Sequence, residues 1–207
     1  GNQIGDEGAS GLGSGLANCT NLLNLKLQLS ENKIGAIGVL GISSALQNYT
    51  NLSNLTFDVN YNKIGDEGAS SIGIALANCT NLSYLTLNFL SCKIGAIGAL
   101  GLGSGLANCT NLLNLTLYLR SNQIGDEGAS GLGLALGNCT NLQNLALNLI
   151  GNKVGDQGAS SLGSALANCI NLSNQMLDLR QKQFICLDCD IFNYKNSFKS
   201  KKLFQFI

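Results

Sequence analysis

The sequence predicts an α/β solenoid of six stacked strand–helix units, and three observations carry that reading. The chain repeats itself at a fixed period. Ile4, Ile34, Ile64, Ile94, Ile124 and Val154 are thirty residues apart, as are Leu22, Leu52, Leu82, Leu112, Leu142 and Leu172. Each period holds an alternating segment, in the first unit Leu25, Leu27 and Leu29 around Lys26 and Gln28. Period two means a strand with one buried face. Each period also holds a segment such as "GDEGASGLGSGLANC", in which Ala9, Leu12 and Leu16 fall at helical spacing on one stripe. One strand and one helix cannot cover their own apolar faces, so the stack of six supplies the core.

The elements follow in order. Strands are expected at Leu25–Leu29, then Leu55, Phe57, Val59, then Leu85, Leu87, Phe89, then Leu115, Leu117, Leu119. Helical stripes recur as Val39, Ile42, Leu46 and Ala69, Ile72, Leu76. The connector "YNKIGDEGAS" at 61–70 explains itself residue by residue. Asn62 ends the strand turn, and stacked Asn amides satisfy a column of turns. Ile64 plugs the core, and Gly65 permits a tight bend. Asp66 is expected to be the helix N-cap, with Glu67 adding charge at the positive end of the dipole. Gly68 and Ala69 let the helix lie close to the strand. The acidic pair is not a catalytic or metal site, because units two and four carry Ala36-Ile37 and Ala96-Ile97 in its place. Those isoleucines either pack together or mark an apolar convex patch. The register fails at Gln175, where Leu is expected, and ends after Arg180.

Two domains result, a repeat domain at 1–180 and an atypical tail at 181–207. The tail, "QKQFICLDCDIFNYKNSFKSKKLFQFI", reads as a cap for the last repeat, as a mistranslated AT-rich stretch, or as a basic-aromatic membrane or nucleic-acid tail. The chain opens inside a repeat and without Met, so it reads as a fragment of something longer.

Composition excludes several functions. Of 207 residues 45% are apolar and 12% charged, which is a folded composition. Net charge is zero, so no whole-chain field favours nucleic acid or anionic membrane. No apolar run reaches the ~20 residues of a spanning helix, and no signal peptide is recognisable. His, Trp and Pro are absent. Ser-His-Asp and Cys-His pairs and His-based zinc sites are therefore impossible within this chain. No catalytic residue, cofactor or metal is expected.

Weaker motifs read as scaffold. "GLGSGL" at 11–16 and 101–106 lies inside a helix and lacks the Lys-Ser or Lys-Thr of a phosphate loop. "NCT" at 18–20, 78–80, 108–110 and 138–140 matches a glycosylation sequon, but the Asn ends a helix and the Cys is expected to be buried. Cys19, Cys79, Cys109, Cys139 and Cys169 share one structural position, unlike a disulfide framework; reduced thiols point to an intracellular, cytoplasmic protein. Cys186 and Cys189 form a lone CxxC without the further ligands of a zinc site.

The stretch "LLNLKLQLSENKIG" at 22–35, continuing into a helix, resembles a leucine-rich repeat of the ribonuclease-inhibitor-like class, of which "NxIGDEGA" is a frequent signature. Ribonuclease inhibitors, Ran GTPase-activating protein and NOD-like receptor repeats belong to that class. The strand segment here is two residues longer, giving units of thirty, similar to protist repeats of which some share a chain with a protein kinase. The resemblance implies a right-handed horseshoe, with a parallel sheet on the concave face and helices on the convex face. It also implies a protein-interaction scaffold binding a partner on the concave face; the alternatives are the recognition region of a larger enzyme, most plausibly a kinase, and a GTPase activator. Partner identity and oligomeric state are left open.

Outward strand positions would form that face. They comprise Lys26, Thr56, Thr86, Thr116 and Ala146; then Gln28, Asp58, Asn88, Tyr118, Asn148 and Asp178; then Ser30, Asn60, Leu90, Arg120, Ile150 and Arg180; and an outer row of Asn24, Asn54, Tyr84, Asn114, Asn144 and Asn174. Tyr84, Tyr118 and Arg120 are the expected anchors, because aromatic and Arg side chains dominate binding hot spots.

Overall fold

The computed structural model describes residues 1–180; the tail and its Cys186-Cys189 pair lie outside the described residues. Six helices alternate with six strands. They are α1 (Gly5–Leu16), β1 (Asn24–Gln28), α2 (Ala36–Leu46), β2 (Asn54–Asp58), α3 (Gly65–Leu76), β3 (Tyr84–Asn88), α4 (Ala96–Leu106), β4 (Asn114–Tyr118), α5 (Gly125–Gly137), β5 (Asn144–Asn148), α6 (Asp156–Leu166) and β6 (Asn174–Asp178). The strands form one parallel sheet in sequence order. The register equals the repeat, pairing Leu27 with Phe57 and Leu87 with Leu117. The helices form the second layer. Between the layers lies a continuous core including Ile34, Ile64 and Ile94, the strand residues Leu85, Leu87, Leu115 and Leu117, and the helix residues Ile42, Ile72 and Leu102. Phe57 and Phe89 meet edge-to-face at 6.1 Å.

Side chains stitch one unit to the next. Asn62 Oδ1 accepts from the Asn32 and Ile34 amides of the preceding unit at 3.0 and 2.9 Å. Its Nδ2 donates to the Leu29 and Val59 carbonyls at 2.8 and 2.9 Å. Asn122 serves Cys92 and Ile94 in the same way. Unit four has Cys92 at this position, and its thiol donates to Val59 O at 3.2 Å but brings no carbonyl oxygen to accept in return. A second column runs beneath the strands, where Asn81, Asn111, Asn141 and Asn171 donate to the Thr50, Thr80, Thr110 and Thr140 carbonyls. A third is made of thiols. Cys79, Cys109, Cys139 and Cys169 donate to the last-turn carbonyls of the preceding helix, at Leu46, Leu76, Leu106 and Leu136. Each of these carbonyls also accepts from the backbone amide three residues on in its own unit, as Leu46 O does from Tyr49 N at 3.0 Å, so the thiol is a second donor. Tyr49 takes the Cys position in unit two and donates to Leu16 O at 2.7 Å.

Two expectations are corrected. Asp66 is not the N-cap of its own helix: α3 begins at Gly65, Ile64 occupies the cap position, and no side chain caps it. Asp66 Oδ1 instead accepts from the Gly95 and Gly98 amides at 2.6 and 2.9 Å, capping α4 of the next unit. Asp6 caps α2 and Asp126 caps α6 by the same pair of bonds. Cys19, expected to be buried, is exposed, and Leu12 on the same unit is 41% exposed, because no unit packs on that side of α1 in the structure.

The cap geometry makes the stack a series of pairs. Both kinds of connector have a left-handed residue early, at Tyr61 (φ 54°) and Ser91 (φ 55°), but odd ones place their second at Gly65 (φ 63°), whereas even ones place it at Lys93 (φ 62°) and leave Gly95 extended. Even helices therefore start one residue later, with amides open to the Asp before them. Within a pair the helices touch closely, for a Cβ on Gly73 would lie 2.1 Å from the Gly101 carbonyl oxygen. Between pairs a side chain intervenes, Leu100 filling the space beside Gly131.

Burial pushes the Cys79 thiol up to about 11, and those of Cys92, Cys109 and Cys139 up to about 12, from an ordinary 9.0. A raised folded value means these thiols favour the fold below about pH 9, and that contribution is lost as pH rises toward 12.

Three outcomes are expected. Asp66→Ala lowers stability by about 1–2 kcal/mol in urea melts, while Glu67→Ala changes it by a few tenths. Cys92→Asn completes the Asn column and raises stability by about 1 kcal/mol in the same melts. Iodoacetamide at pH 7.5, read by peptide mapping, modifies Cys19 in the native protein and Cys92, Cys109 and Cys139 only after unfolding.

Candidate functional site

Strand alternation turns Lys26, Gln28 and their equivalents away from the helices, and the thirty-residue register lines them into columns. Within those columns some side chains are already occupied. Asp58 Oδ1 accepts from Ser30 Oγ at 2.6 Å and from the Asn60 amide at 3.1 Å, and Asp58 Oδ2 faces Asn88 Nδ2 at 3.4 Å. Asn148 Oδ1 accepts from the Ile150 amide at 3.1 Å. Arg180 and Asp178 pair with each other through two bonds of 3.0 and 2.7 Å. Those hydrogen bonds raise the guanidinium pKa, so this pair offers a neutralised patch rather than a free cation.

The outer row is an Asn ladder. Asn54 donates to Asn24, Asn144 to Asn114 at 2.6 Å, and Asn174 to Asn144 at 2.5 Å. Tyr84 interrupts it and stands 51% exposed. Tyr118 and Arg120 lie two residues apart on one face of the fourth unit. Tyr118 is flanked in register by Asn88 and Asn148 and is half-buried, while Arg120 is exposed with no ion-pair partner among the described residues. The structure thus brings Tyr118 and Arg120 together. Tyr84 sits one strand over and four residues back from the level of Tyr118, about 13 Å along the strand direction. Lys26 and Gln28 are exposed on the edge strand β1.

Two features escaped the sequence reading. A shallow hollow of about 440 Å³ lies over Asn114, Thr116, Asn144, Ala146, Asn174 and Met176. Its only sequence signal is the small Ala146 in a row of threonines. Tyr61 is 56% exposed with φ 54°, in an open hollow with Glu31, Lys33 and Lys63; a left-handed turn residue gives no sign of its exposure in the sequence. Among the described residues, no cluster of three or more His, Cys, Asp or Glu could hold a metal ion. None of their helices is long and apolar enough to cross a membrane.

Comparison with known proteins identifies the repeat. Residues 1–13, 51–73, 111–133 and 138–163 match the family model described as Leucine Rich repeat. No curated protein matches the chain. Among solved structures, an internalin from Listeria monocytogenes is 22% identical, covering 84% of this chain and 67% of its own, with a TM-score of 0.27. A superposition that poor carries no argument about function. The family matches fall on units whose strands and helices repeat at thirty residues in one parallel sheet: the chain is a leucine-rich-repeat protein.

Proposed function

We propose that the chain is a protein-interaction scaffold that holds a protein partner on its concave sheet face and performs no chemistry of its own. The observation that supports it is where variation is concentrated. Inward positions are almost invariably Leu, Ile, Val or Phe from unit to unit, whereas one outward column runs through Gln28, Asp58, Asn88, Tyr118, Asn148 and Asp178. A surface built only for solubility has no need of an aromatic and a cation side by side. Tyr118 and Arg120 are the anchors, Tyr84 a separate contact along the strands, and Asp58, Asn88 and Asn148 a hydrogen-bonding rim. The pairing of Arg180 with Asp178 gives those two a smaller part. The signature "NxIGDEGA" supports assignment to the ribonuclease-inhibitor-like class, and the reduced thiols of Cys19, Cys79, Cys92, Cys109 and Cys139 support a cytoplasmic location.

Tyr118→Ala combined with Arg120→Glu tests this reading. Proteins enriched from source-cell extract on the wild-type chain and lost on the variant are titrated directly against both. The variant is expected to bind at least ~30-fold more weakly, the loss of a hot-spot pair, with an unchanged melting temperature. Equal binding by both chains places the site elsewhere.

A further inference from the structure

The helix layer carries a second face that the concave site leaves unused. On each helix, three outward positions at i, i+3 and i+7 form one stripe. In α2 these are Ile37, Leu40 and Ser44, in α3 Glu67, Ser70 and Ile74, in α4 Ile97, Leu100 and Ser104, and in α5 Glu127, Ser130 and Leu134. Ile37, Ile74, Ile97 and Leu134 are 69%, 62%, 70% and 72% exposed, with Leu40 and Leu100 beside them. Ile37 and Ile97 therefore belong to an apolar convex patch. Helices α1 to α6 contain no Lys or Arg at all. The first position of the stripe reads Glu7, Ile37, Glu67, Ile97, Glu127 and Gln157 across the stack, alternately acidic and apolar through α5, and Glu67 and Glu127 have no ion-pair partner among the described residues. Large exposed apolar patches rimmed by polar groups mark interaction sites.

We propose that this convex face docks an amphipathic helix of a partner protein whose facing side chains alternate apolar and basic. Spacing selects the partner's shape. Packed helices lie about 8–10 Å apart, and two turns of an α-helix advance about 11 Å. A helix laid across the stack meets each convex helix about once every seven residues. Charge selects its chemistry. Apolar side chains fit against Ile37 and Ile97, and cations against Glu67 and Glu127, which no cation on this face neutralises. Phosphate backbones and anionic lipid headgroups are repelled by the same row, and a second copy of this face has no cation to offer it.

The test uses the full chain and three labelled 18-residue peptides: an amphipathic Leu/Lys helix, a Leu/Glu helix of the same pattern, and a scrambled Leu/Lys peptide. Binding is read by fluorescence anisotropy and by peptide circular dichroism. The amphipathic Leu/Lys helix is expected to bind as a helix and the other two at least ~10-fold more weakly. Ile37→Ser with Ile97→Ser abolishes that preference without lowering the melting temperature, and Glu67→Lys with Glu127→Lys reverses it toward the Leu/Glu helix. Absence of Leu/Lys binding, equal binding of the scrambled peptide, or binding unchanged by both convex variants overturns the proposal. Loss of peptide binding in the Tyr118→Ala, Arg120→Glu variant alone also overturns it and moves the site to the concave face, so its failure is distinct from that of the concave reading.

Discussion

Every unit of this chain completes its hydrogen bonding in the unit beside it. The buried Asn62 amide closes two turns at once, its own and that of the preceding unit. The Cys79 thiol and its equivalents add a second hydrogen bond to helix carbonyls of the unit before. A buried polar group left unpaired costs a large part of what one contact contributes, so no unit is stable alone. Stability is then a sum of neighbour terms, and the solenoid follows from that dependence as much as from its leucines.

Unequal neighbours add a second level of organisation. An Asp in units one, three and five caps the helix of the unit that follows, and the glycines of those helix pairs allow close approach. The intervening seams lack that cap and carry a Leu side chain between the helices at α4 and α5. The effective period is therefore two units. This accounts for Ala-Ile in units two and four, whose helices need no acid of their own because the preceding unit lends one; unit six carries Asp156-Gln157 there although Asp126 caps its helix. The position after the cap is thereby free to carry Ile37 and Ile97, which face solvent.

The two faces inherit different rules. On the sheet, the parallel register is the same at every seam, so each outward column varies without disturbing its neighbours. Tyr118 and Arg120 rest on that freedom. On the helix side, acid and apolar groups alternate from α1 to α5 alongside the alternation of caps, and Gln157 ends that pattern in α6. The concave surface thus varies from unit to unit, whereas the convex surface repeats every second unit from α1 to α5.

Periodicity alone determined the strand and helix positions, the parallel stack and the buried leucines, because a side chain's face follows from local geometry at periods of 2 and 3.6 residues. It also located the concave columns, since register and repeat length coincide. Only the tertiary structure decided where bonds between units go. Asp66 reads locally as a cap for its own helix, yet the left-handed turn at Gly65 starts that helix early and leaves the carboxylate facing the amides of Gly95 and Gly98. Arg180 reads as one more outward member of its row, yet it is held by Asp178 two residues away. The exposure of Cys19, set against the burial of Cys79, depends on whether a unit lies alongside. Each of these turns on distances between residues about thirty apart or on side-chain rotamers, and a one-dimensional pattern carries neither.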